Sequence, residues 1–210
     1  MMFSPTDHLG AATRTVTTVT RDDAELRLVT VSRTYDATPD EVWAALVDPE
    51  RIPRWLGPVE GDLRVGGRFA LEGNASGDIT TCDRPERLSV TWEHGGDTSW
   101  VDVSLRPTPD GTVLQLDHSF AVTDHYRRYG PGATGIGWEL ALMGLSLHLA
   151  DPTFAHPAHD ELPPGLAEFN RAAATAWGEA AVAGGDDAAE ADLAARRCAA
   201  AYTGEPEPEA

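Results

Sequence analysis

Lysine is absent from this 210-residue chain, and all sixteen of its basic side chains are arginine. Lysine Schiff-base chemistry and phosphate binding by a P-loop both need that amine, so both are excluded. Positive charge is scarce altogether: thirty-four acidic residues leave a formal charge of −18. Such a field repels phosphate backbones and anionic lipid, so neither nucleic acid nor a membrane surface is an expected partner. Cysteine is nearly missing too. Cys82 and Cys198 cannot make the disulfide framework of a small secreted domain. Met1–Gly10 lacks the basic and apolar regions of a signal peptide, which predicts a reduced, cytoplasmic chain. Long apolar runs are lacking as well. The most apolar stretch, Ile136–Ala150, carries Glu139 and His148 and falls short of the ~20 residues that span a bilayer. It reads as a buried helix.

With 41% hydrophobic and 24% charged residues, the chain has ordinary globular usage and can bury a core. Its length predicts one sizeable domain plus an appendage, at ~150 residues per domain. Thr15–Thr20 and Leu26–Val31 are rich in β-branched residues around Arg21-Asp22-Asp23, a hairpin whose second strand runs on to Tyr35. Thr38-Pro39-Asp40-Glu41 combines a Thr N-cap, Pro at the first helical position and a capping Glu. The helix it opens presents Val42, Trp43, Leu46 and Val47 on one face and stops at Asp48-Pro49. Glu50–Trp55 adds one more helical turn. From Val59 on, short runs punctuated by Gly66-Gly67, Gly73-Asn74, Arg84-Pro85, Gly95-Gly96 and Asp110-Gly111 predict a six-stranded antiparallel meander. A helix of about 15 residues follows Tyr129-Gly130-Pro131-Gly132, with Glu139 and Ser146 on a narrow polar edge. The expected organisation is a flexible N-terminus over 1–12, a domain over 13–150, a helical extension over 151–202 and a disordered acidic, Pro-rich tail over 203–210.

This order of elements looks like the α+β helix-grip (START-like) fold, in which a curved antiparallel sheet wraps around a long C-terminal helix. The segment from Thr38 to Trp55 resembles bacterial SRPBCC proteins of the Hsp90-ATPase-activator-homologue family. So do Val65-Gly66-Gly67-Arg68-Phe69, Asp83 to Trp92, Gly111-Thr112-Val113-Leu114 and Gly137-Trp138. The similarity covers residues 26 to 150. It implies a cavity between sheet and helix. The eukaryotic activators also carry an N-terminal chaperone-contacting domain, and nothing in Met1–Glu25 matches it.

Strand alternation puts Val101, Val103 and Leu105 on one inward face and Leu114, Leu116, His118 and Phe120 on another. With Trp92, Trp138, Leu142 and Leu145, the inward residues His118 and Phe120 make up the predicted lining of a ligand cavity. Trp43 and Trp55 read as core. His118 is the single candidate acid/base, because its neighbours Asp117 and Ser119 point the other way and complete no triad. Cys82 on its strand reads as a small buried hydrophobe. His156-Pro157-Ala158-His159-Asp160-Glu161 crowds metal-ligating types together but lacks a rigid helical scaffold, so no metal and no cofactor is predicted. The expected function is a binding module for a small apolar or aromatic ligand. A polyketide cyclase- or dehydratase-like enzyme using the same cavity is one alternative. The other is a protein-interaction module, contacting a chaperone or a second copy of the chain to form a homodimer.

Overall fold

The computed structural model describes residues 8–154 and 164–208. Eight strands are placed among them: β1 (Ala12–Arg21), β2 (Ala24–Tyr35), β3 (Val59–Gly61), β4 (Arg68–Leu71), β5 (Ser76–Asp83), β6 (Arg87–His94), β7 (Asp97–Thr108) and β8 (Gly111–Phe120). They form one curved antiparallel sheet in the order β1-β2-β8-β7-β6-β5-β4-β3. The β1–β2 turn has Asp22 and Asp23 at φ 49° and 64°, the backbone of a tight turn whose twist matches its strands. Between Ile79 and Thr81 the pairing of β5 with β6 shifts register, and an irregularity of this kind bends a strand.

The helices are α1 (Pro39–Val47), α2 (Asp124–Tyr129), α3 (Gly132–Ala150), α4 (Leu166–Ala183) and α5 (Ala188–Thr203), with a 3-10 turn at Ile52–Arg54. The reciprocal capping box predicted for α1 is present: the Glu41 amide donates to Thr38 Oγ1, and Glu41 Oε2 accepts from the Thr38 amide at 2.8 Å. Val42, Trp43 and Leu46 are buried, with Ala45 beside them, while Val47 is half-buried. The sequence pattern missed α2, a six-residue helix capped by Thr123 and stopped at Gly130. It also began α3 too late, because Gly132 and Gly135 weaken the helical pattern of the first turn. No helix among the described residues is long and apolar enough to cross a membrane.

The chain divides into two compact units. One comprises the described residues up to Val31, Ala121–Glu139 and those from Pro164 onward. Its core holds Val16, Val29, Ile136, Phe169, Trp177 and Cys198. Glu139, expected on a polar edge, is instead buried there. Its carboxylate accepts from Trp177 Nε1 at 2.6 Å and from Arg14, whose Nε lies at 2.7 Å. A buried charge persists only when paired, and β1 and α4 supply the partners from far along the sequence. Beyond α5, Glu205 is held by Arg171, and Glu207 by Arg128 and Tyr129. Within the tail, Glu205 and Glu207 thus meet side chains of α4 and α2.

The other unit comprises Ser32–Phe120 and Leu140–Phe154. Leu71, Ile79, Val103, Leu105, Leu114 and Leu116 on the sheet share its core with Trp43, Trp55, Leu142 and Leu145. Trp55 Nε1 donates to Ala45 O at 2.9 Å and Tyr35 Oη to Leu142 O at 3.0 Å. Both buried aromatics thus satisfy their polar tips on helix carbonyls.

Candidate functional site

The site is built on antiparallel register. Val101 pairs with His118, Val103 with Leu116 and Leu105 with Leu114, so the two predicted stripes of β7 and β8 lie on the same face. Trp92 pairs with Ser99 across β6 and β7. Phe69 lies on β4 with its ring centroid 5.9 Å from Trp92. Trp92 lies 6.2 Å from His118, and His118 lies 5.3 Å from Phe120, the last two nearly perpendicular. A continuous aromatic row thus crosses the sheet from β4 through β6 to β8. Phe69, Trp92 and Phe120 are half-buried, whereas His118 is 6% exposed.

His118 is fixed by two successive hydrogen bonds. Ser99 Oγ donates to Trp92 O at 2.9 Å and lies 2.8 Å from His118 Nε2. The hydroxyl has one proton, already given to the carbonyl, so Nε2 carries the proton of the second bond and Ser99 accepts it. Burial pushes the His118 imidazole down to about 4, so it is neutral at pH 7. Ser99 is therefore no activated nucleophile: its proton points at a carbonyl and not at a base.

Of the six predicted lining residues, Trp92, His118 and Phe120 make these ring contacts on the sheet, while Leu142 and Leu145 are buried on the part of α3 within the same unit. Trp138, 9% exposed, belongs to the other unit. Sequence reasoning passed over Phe69 and Ser99. Ser99 was in phase with Val101, Val103 and Leu105, and a polar residue in step with an apolar stripe is a signal for a buried hydrogen bond. Cys82 was misread: it is exposed, next to the last residue of β5 and beyond the register shift at Ile79–Thr81, where it pairs with Leu88. The His156–Glu161 segment lies outside the described residues. A surface groove of about 700 Å³ runs between α4 and α5 under Pro206 and Pro208, and includes none of the six predicted lining residues.

A curved antiparallel sheet with a long C-terminal helix defines a protein of the helix-grip class. Residues 36–150 match the family model described as Activator of Hsp90 ATPase homolog 1-like protein, and the chain belongs to that family. Among solved structures it is similar to CalU16 from Micromonospora echinospora. With the solution structure of CalU16 it shares 35% identity at a TM-score of 0.69, over 83% of this chain and 97% of that one. MLL2253 from Mesorhizobium loti is 30% identical at a TM-score of 0.54, over 60% of this chain and 98% of the other. Uncharacterized protein C1711.08 of Schizosaccharomyces pombe is 28% identical over 95 residues, 44% of this chain. The match spans only 25% of the yeast protein's length.

Proposed function

We propose that the chain is a binding module for a flat apolar or aromatic small molecule, held between the His118-bearing face of the sheet and the Leu142–Leu145 stretch of α3. The observation that supports this reading is the row of Phe69, Trp92 and Phe120, all half-buried around one buried, neutral imidazole. Large rings in a finished core would be covered. Rings left partly open beside a few oriented polar groups have the composition of a ligand wall.

A thermal-shift screen of planar aromatics and fatty acids tests the proposal. Binding confined to the folded state adds about 2.7 kcal/mol at a ligand concentration of 100 Kd, so a true ligand raises Tm by several degrees. Trp92→Ala is expected to weaken that ligand at least tenfold. The reading fails if no compound shifts Tm, or if the variant binds as well as the parent.

The buried His118 imidazole is compatible with a second reading, in which the same face carries out acid/base chemistry of the cyclase or dehydratase kind. A neutral imidazole can take a proton. In that case His118→Ala abolishes turnover of a bound polyketide while binding survives.

A further inference from the structure

Several arginines of this acidic chain pair directly with carboxylates: Arg27 with Asp186, Arg68 with Asp78 and Glu93, Arg87 with Asp102. Arg51 and Arg54 are different. The 3-10 turn joins them directly, with the Arg54 amide donating to Arg51 O at 3.0 Å, and residues three apart in such a turn eclipse. Both guanidinium groups lie close enough to His148 to act on its ring electrostatically. Among the described residues their acceptors are neutral: Arg51 donates to His148 Nε2 at 3.1 Å and Glu41 O at 3.5 Å, Arg54 to Glu50 O at 3.4 Å and Pro152 O at 2.8 Å.

His148 is the informative partner. It is 1% exposed, on the last turn of α3. Because Nε2 accepts from Arg51, the ring proton sits on Nδ1, which is buried with no hydrogen-bond partner. A neutral imidazole, kept neutral by burial and by the two nearby arginines, orients the Arg51 fork without cancelling its charge. The Glu41 carboxylate feels Arg51 but is committed to Thr38. A carboxylate in the place of His148 would close this cluster as a structural ion pair. An imidazole leaves two forks whose hydrogen-bond acceptors among the described residues are all neutral, and guanidinium forks suit planar, bidentate recognition of oxyanions.

We propose that Arg51 and Arg54, with His148 positioning the former, form a binding site for the oxyanion group of a small molecule. The proposal does not rest on the ligand reading of the apolar surface described above. The probe is inorganic phosphate, with acetate as a parallel arm, titrated into the full chain at constant ionic strength balanced with sodium chloride. Backbone amides of residues 51–55 and the His148 ring are followed by NMR. Saturable shifts at these positions are expected, and the stronger of the two arms identifies phosphate or carboxylate as the preferred group. Arg54 is exposed, so Arg54→Gln keeps the fold and should raise the apparent Kd at least threefold with Tm unchanged. Arg51→Lys retains charge but loses the fork, and should weaken binding similarly. Shifts that do not saturate in either arm, or an Arg54→Gln affinity within threefold of the parent, overturn the proposal.

Discussion

His118 is held neutral by its surroundings, and this gives the fold a pH dependence of definite sign. Its folded value near 4 lies below the ordinary 6.5, so between these limits the unfolded chain binds more protons and stability rises with pH. The contribution is fully present above pH 6.5 and is lost as pH falls toward 4, about 3 kcal/mol in all at 1.36 kcal/mol per unit. Urea denaturation at pH 7.5 and 4.5 should show a smaller difference in His118→Phe than in the parent, because other titrating groups are common to both. Glu139 makes a second residue-scale case. Glu139→Ala leaves the Trp177 indole N–H and the Arg14 guanidinium without their acceptor, and a loss of roughly 3 kcal/mol is expected by urea denaturation. Glu139→Gln keeps an acceptor for Trp177 and should cost less. The two positions differ in how legible they were. His118 could be placed by alternation alone, since its phase with Leu114 and Leu116 is written in five consecutive residues. Glu139 could not, because Arg14 and Trp177 lie 125 and 38 residues away and no local pattern connects them.

Among the elements, α1 and α3 answer to opposite rules. Thr38→Ala removes an N-cap that bonds Glu41 in both directions, and should cost about 1 kcal/mol, read as a lower Tm. In α3, Gly135→Ala would ordinarily gain ~1 kcal/mol of helix propensity. Here a β-carbon would overlap the Trp177 indole, so the same change is expected to lower Tm. Elements set by short-range chemistry were readable: the capping box, the Asp22-Asp23 turn and the phase of β7 and β8. The glycines at the start of α3 read as a loop because their reason is a tryptophan packed against them from a later helix. Likewise, α2 is only six residues long and too short to show a period.

At the scale of the molecule, residues after 164 share a core with the first strand, through Trp177, Glu139 and Arg14, and are more than an added tail. A chain ending at residue 154 loses Phe169, Trp177 and Cys198 and leaves Val16 and Glu139 uncovered. Such a truncation is expected to abolish cooperative unfolding of that unit, followed by near-UV circular dichroism. The two cysteines then acquire an analytical use. Cys82 stands in water, whereas Cys198 is sealed and its thiol is pushed up to about 12, far from the thiolate that alkylating reagents attack. A maleimide should therefore label the first within seconds and the second only when α5 comes away. The ratio of the two rates measures how often that unit opens, with a built-in control in the same polypeptide.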